Sequence, residues 1–309
     1  MGWTVLPNSF QALICSALLV TISAIFSSSP SEEPPKYCTV FNHFVKSGGS
    51  TIKSQLTRQS VIQRNRRPGL ITGVTRTTPA MRLDTIHNAS VIMGYGEQLR
   101  KPLGDIGREC SYFTVFRHPI DRLVSKFYYC PTDHDPQHRD YKFCGNNDIV
   151  GESRQSRLLE FAKVAFGNPA FLNMMQSTYC LPSFEPALCD PKHALEFESW
   201  PTDLTTNQGR QAHQAAMETL STYTAVGIFE EWELSMQLFD ATVTSPVSEW
   251  DAHKVANIGL RSAERETLLE WAHTSSELFS LLGPDILLYR YAVQIFRRQT
   301  RDILGKVWS

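Results

Sequence analysis

Residues 37–44 form a short apolar and aromatic run that passes through Val45 into Lys46-Ser47-Gly48-Gly49-Ser50-Thr51 and then a helix-forming stretch, 51–58. A buried strand, a glycine turn and a helix in that order form the opening half of a crossover unit, which commits the chain to a parallel sheet flanked by helices. The same grammar recurs twice. Residues 89–93 read as a strand ending at Gly94-Tyr95-Gly96. Residues 111–116 read as another, followed by Arg117-His118-Pro119 and a helix whose Ile120, Leu123, Val124 and Phe127 repeat at i, i+3, i+4 and i+7. Pro119 suits the first turn of that helix, where its missing N–H is not needed. Beyond Cys144 the pattern predicts helices over 156–166, 208–220, 230–241, 263–282 and 285–298, with one short strand at 224–228. Strand–loop–helix units followed by helices predict an α/β domain with a parallel sheet and a mainly helical C-terminal half.

The N-terminal region predicts an address. After a tail of residues 1–9, residues 10–26 are uncharged and mostly apolar, and 27–36 form a polar, proline-rich stem before a domain at 37–309. The apolar run reads as an uncleaved signal anchor at the short end of a membrane span, with a cleaved signal peptide as the alternative. Either way the domain enters the secretory pathway. Cys38, Cys110, Cys130, Cys144, Cys180 and Cys189 lie outside the apolar run, an even number suited to bridges in an oxidising compartment. Short loops favour Cys130–Cys144 and Cys180–Cys189, without fixing the connectivity. Asn88-Ala89-Ser90 is a glycosylation sequon.

Net charge is −1, which argues against a nucleic-acid partner, but its distribution is uneven. Nine Lys or Arg and no acid fall between Lys36 and Arg82. Such a run favours an anionic ligand, and Lys53, Arg58, Arg64, Arg66 and Arg67 are candidate contacts for one. In Lys46–Thr51, glycines let backbone N–H groups approach an anion, Lys46 adds a charge, Ser50 and Thr51 supply hydroxyl donors, and Ser47 belongs to the same binding loop. The Lys precedes the glycines, so this is not the GxxxxGK[ST] loop of nucleotide kinases. Arg117 sits at a strand end with Ser125 about two helical turns on, an arginine fork plus a hydroxyl suited to a phosphate. Asp121 reads as a surface charge, a reading left open for Arg122. Trp232, Leu234, Leu238 and Phe239 read as helix core, and Arg297, Arg298 and Arg301 as a solvated helix end. No metal-ligand cluster stands out, and no metal is expected.

Together, KSGGST at 46–51 and RHPIDRLVSKF at 117–127 resemble the donor-binding signature of the Golgi carbohydrate sulfotransferases, nearest to the heparan sulfate 2-O- and 6-O-sulfotransferase group. Fainter similarities follow at 173–177, at Val226-Gly227-Ile228-Phe229-Glu230 and at Asp285-Ile286-Leu287-Leu288-Tyr289. The resemblance implies a P-loop-like sheet, a type II Golgi membrane protein with a lumenal catalytic domain, 3′-phosphoadenosine-5′-phosphosulfate as sulfuryl donor and a glycan or polysaccharide acceptor. It implies Lys46 as the group neutralising charge on the sulfate and departing phosphate oxygen, the N–H groups of Gly48 to Thr51 as a 5′-phosphate cradle, and Arg117 with Ser125 on the 3′-phosphate.

Where 2-O-like relatives carry a Gly-His element, this chain has Gly94-Tyr95-Gly96-Glu97. A tyrosine with a pKa near about 10 is a poor base. Glu97 is the first candidate for the general base, with His87 and His43 next. Two readings compete: a non-catalytic glycan-binding paralogue that lost its base, and a nucleotide-dependent kinase on a related fold.

Overall fold

The computed structural model describes residues 37–44, 46–63, 70–74, 91–94, 104, 107–129, 153–163, 170–171, 174, 203–243, 250 and 262–306. All of them belong to one compact unit, Pro35–Ser309. Its elements are β1 (Tyr37–Asn42), α1 (Gly49–Gln63), β2 (Leu70–Val74), β3 (Val91–Gly94), β4 (Glu109–Phe116), α2 (Pro119–Tyr129), α3 (Arg154–Phe161), α4 (Asn207–Ser221), β5 (Ala225–Ile228), a 3-10 turn (Phe229–Glu231), α5 (Trp232–Thr242), α6 (Ala263–Thr274), α7 (Ser276–Leu281) and α8 (Gly283–Leu304).

The five strands are all parallel, in the order β2-β3-β1-β4-β5. The α/β parallel architecture therefore stands as expected. Strand β2 is not among the predicted strands: it is five residues long, its sheet partner is β3, and its register shifts between Thr72 and Val74. The strand order has a functional consequence. The connection from β1 leads toward β2 on one side, and that from β4 leads toward β5 on the other. Between the C-terminal ends of β1 and β4 lies the point where chain direction reverses, and in open parallel sheets such a crevice receives ligands.

Two apolar clusters hold the unit together. The larger surrounds the sheet, with Phe41, Phe113, Ile92 and Val115 meeting Ile52 and Leu56 of α1, Phe239 of α5 and Phe296 of α8. The smaller joins helices only: Ile120, Leu123, Val124 and Phe127 of α2 pack with Leu158 and Phe161 of α3, Leu268 and Ala272 of α6, and Ile286 of α8. The apolar stripe read from α2 is thus buried as expected, but against helices. Helix α8 contributes Ile286 to one cluster and Leu288, Ala292, Ile295 and Phe296 to the other, so it fastens the helical layer to the sheet.

The predicted helix over 263–282 is divided at Ser275. This residue takes an extended conformation, and its Oγ accepts the Leu278 N–H at 3.3 Å, capping α7 as α6 ends. The described disulfide joins Cys38 and Cys110, which face each other in the β1–β4 register with Cα atoms 4.4 Å apart. It lies at the N-terminal ends of the two strands whose C-terminal ends form the crevice. The favoured pairs Cys130–Cys144 and Cys180–Cys189 fall outside the described residues, as do the sequon, residues 173 and 175–177, and residues 10–26. Among the described residues, no helix is long and apolar enough to cross a membrane.

Candidate functional site

The KSGGST loop leaves the C-terminal end of β1. Asn42 anchors that end: its Nδ2 donates to Tyr223 Oη at 2.8 Å, and its carbonyl accepts from Thr114 Oγ1 at 2.7 Å, tying β1 to β4 and to the segment before β5. The turn needs left-handed backbone twice, at Gly48 (φ 82°) and at Lys46 (φ 66°). Glycine accepts that conformation freely; a lysine there carries strain of about 1–2 kcal/mol. Gly48 and Gly49 also lack room for a side chain. A Cβ on Gly48 would come within 2.7 Å of the Trp232 ring, and one on Gly49 would overlap the His43 imidazole. Trp232, read as helix core, is buried and also forms a wall of this loop.

Helix α1 begins at Gly49, so its leading N–H groups have no acceptor within the helix and carry its partial positive charge. Thr51 N–H is already committed to Gly48 O at 3.0 Å. Ser47 is 1% exposed, and its Oγ is buried without a hydrogen-bond partner among the described residues.

Arg117 follows β4 and reaches back to this loop. Its Nη1 donates to the Lys46 carbonyl at 3.3 Å, its guanidinium lies 4.7 Å from the centre of the Phe229 ring, and its Nε is buried without a partner among the described residues. Two segments 71 residues apart in sequence thus become one wall of the crevice. Lys46 Nζ sits 4.0 Å above the Tyr129 ring. Burial, then the charges of Arg117 and Arg265, push the Lys46 amine below its ordinary pKa. Burial likewise lowers Arg117, with Asp121 and Glu230 opposing and Arg265 and Arg122 adding to the shift. Crowded, partly desolvated cations are stabilised by an anion, so this electrostatic arrangement favours one. Arg265, from the first turn of α6, is a member of this group that the sequence did not single out. Ser125 lies partly exposed about two turns along α2.

Two of the fainter motifs, 226–230 and 285–289, converge on the same place. Glu230 accepts the His118 backbone N–H at 2.9 Å through Oε1 and the Tyr289 hydroxyl at 3.2 Å through Oε2, joining three distant segments. Burial and Glu230 raise the Tyr289 pKa. Ser235 Oγ bonds both the N–H and the carbonyl of Ile228 at 2.8 and 2.9 Å, fixing the strand end that precedes Glu230.

Arg122 is not a surface charge. It is 1% exposed and paired with Asp285, itself 0% exposed, whose other oxygen accepts the Phe171 N–H at 2.7 Å. Asp121 is not free on the surface either, since it contacts both His118 and His273. Burial raises its pKa, but His118, His273 and Arg117 outweigh that and leave it below the usual carboxylate range.

Of the three general-base candidates, Glu97 and His87 lie outside the described residues. His43 is described: its ring occupies the space beside Gly49 and stacks with Phe41 at 5.9 Å. Burial, and secondarily the charge of Lys53, lower its pKa to about 4. It is therefore neutral at near-neutral pH and a weak proton acceptor there. Arg297, Arg298 and Arg301 are exposed on α8. No known protein family matches the chain, and no curated protein is similar enough to it to count as a relative.

Proposed function

We propose that the protein is a carbohydrate O-sulfotransferase that uses 3′-phosphoadenosine-5′-phosphosulfate as donor and a glycan or polysaccharide hydroxyl as acceptor. The observation that carries the reading is the Arg117 Nη1 to Lys46 carbonyl bond, which joins the two donor-type motifs at the reversal point of a parallel sheet. The buried Ser47 Oγ and Arg117 Nε, both without partners among the described residues, and the side-chain-free surface at Gly48 and Gly49 fit a phosphorylated nucleotide. In this reading the sheet is P-loop-like in use: a loop after its central strand takes the 5′-phosphate, without a Walker A pattern.

When bound, the donor supplies an activated sulfuryl group, whose sulfur–oxygen bond to the phosphate breaks as the acceptor oxygen attacks. Lys46 neutralises charge that develops on the departing oxygen, and the N–H groups of Gly48 to Ser50 with the Ser47 and Ser50 hydroxyls hold the 5′-phosphate, the Thr51 N–H being taken up by Gly48 O. Arg117 and Ser125 hold the 3′-phosphate, with Arg265 adding charge. Positioning and charge stabilisation carry most of such a transfer. Glu97, or failing it His87, takes the acceptor proton, since a pKa of about 4 makes His43 a weak base near neutral pH. The Cys38–Cys110 bridge supports an oxidising compartment, in keeping with a Golgi membrane protein held by residues 10–26 and facing the lumen.

The test is thermal unfolding of the full chain with 3′-phosphoadenosine-5′-phosphate, ATP or 5′-AMP. Only the 3′-phosphorylated nucleotide should stabilise, by about 2.7 kcal/mol at 100 times its dissociation constant, and Lys46→Ala should abolish both this shift and sulfotransfer. A shift that favours ATP would replace this reading with a kinase. Binding without turnover of any glycan would leave a non-catalytic binder.

A further inference from the structure

The start of α2 and the last turn of α6 bring three ligand-type side chains to one point. His118 Nδ1 lies 3.4 Å from Asp121 Oδ2, and His273 Nε2 lies 3.0 Å from the same oxygen. All three donor atoms lie within 4.8 Å of one another. Donors bound to a tetrahedral zinc ion at about 2.0–2.2 Å stand roughly 3.3 Å apart, so small side-chain shifts would complete a coordination triangle.

The surroundings make this more than a chance approach of polar groups. His118 Nδ1 is buried, and its polar neighbour among the described residues is the Asp121 carboxylate. Its main chain is fixed by Glu230, and its ring stands edge-on to Tyr289 at 5.2 Å, so the imidazole is held in place from two sides. The His273 ring lies 4.9 Å from the His118 ring and is the more exposed of the two, leaving one side of the triangle open to water. Two imidazoles and one carboxylate suit zinc and its neighbours in the first transition row, whereas calcium and magnesium favour all-oxygen sites. Nearby, the Arg117 and Glu230 charges oppose each other, and Asp121 supplies the negative charge a cation needs.

We propose that His118, Asp121 and His273 bind one zinc-like divalent cation, with three protein ligands and one position open to solvent. The proposal does not depend on sulfuryl transfer: the cation would fasten α6 to the start of α2, beside Arg117.

The experiment uses the full chain stripped with a chelator and titrated with Co2+ as a spectroscopic probe, followed by competition with Zn2+. One equivalent of Co2+ with the visible absorption of a four-coordinate site, displaced by Zn2+, is expected. His273→Gln and Asp121→Asn should each weaken binding at least tenfold. His273 is exposed, so His273→Gln should fold, and circular dichroism checks both variants. Absence of binding to the wild-type chain would overturn the proposal. So would unchanged stoichiometry and spectrum in folded His273→Gln, which would place the metal at other His or Cys residues.

Discussion

Replacing Asp285 with alanine removes two acceptors at once from a dry site. Arg122 loses its counter-ion while remaining almost fully buried, and the Phe171 N–H loses a 2.7 Å bond. Breaking a buried pair by removing one partner costs about 3–5 kcal/mol, because the surviving charge is left uncompensated. For a chain of this size each kcal/mol moves the melting temperature by about 2–3 °C, so Asp285→Ala should melt about 6–15 °C lower. Asp285→Asn keeps an acceptor for Phe171 and should fall between alanine and wild type. The informative control is the double variant Arg122→Met/Asp285→Leu, which removes both charges and fills the space. It should regain most of the loss, since well-packed apolar replacements of buried pairs are often neutral or stabilising. Urea midpoints with thermal melts measure all four proteins. A cost below about 1 kcal/mol for Asp285→Ala, or a double variant no better than the single, would refute the claim that this pair is buried and joins α2 to α8.

Two further perturbations test the loop. Lys46 holds a left-handed conformation, so Lys46→Gly should be about 1 kcal/mol more stable than Lys46→Ala although both lose nucleotide binding; equal urea midpoints would remove the strain argument. His43 has a folded pKa of about 4, below its unfolded value of 6.5, so the unfolded chain holds more protons between those values. The stability it contributes is present above pH 6.5 and lost as pH falls toward 4, about 2 kcal/mol between pH 7 and 4.5. A His43→Gln variant should have a flatter urea-midpoint profile over that window, and an unchanged slope would show that His43 is not desolvated. Asp121, held below the ordinary carboxylate range, adds its own loss only at more acidic pH.

Local patterns made much of this architecture legible. The apolar runs of β1 and β4 and the 3–4 spacing in α2 are complete within about ten residues each, and the structure agrees with them. What escaped was non-local. Strand β2 is short and contains a glycine within a basic stretch, and its strand character comes from pairing with β3. Nothing local decides whether Arg122 is a surface charge, because its partner Asp285 lies 163 residues later. His118 and Asp121 carry no metal signature alone, since the third member, His273, arrives from α6. Within the candidate site, Lys46, Ser47 and Arg117 could be singled out because strand ends and glycine turns are written locally. Arg265 could not, because nothing in the first turn of α6 shows that it faces Lys46.

The strand order also has a consequence for biosynthesis. Central strand β1 pairs with β3 and β4, so after its synthesis it must wait for residues 91–116 before either edge is covered. At about 5–20 residues per second, the 72 residues from Cys38 to Cys110 take roughly 4–14 seconds to appear. Throughout that interval an apolar strand with two open edges is a target for mispairing. No cysteine lies between Cys38 and Cys110, and Cys130, Cys144, Cys180 and Cys189 all follow. The first thiol to emerge after Cys38 is thus its native partner. Order of emergence alone favours capture of the correct neighbour, locking the centre of the sheet before the remaining cysteines can compete for it.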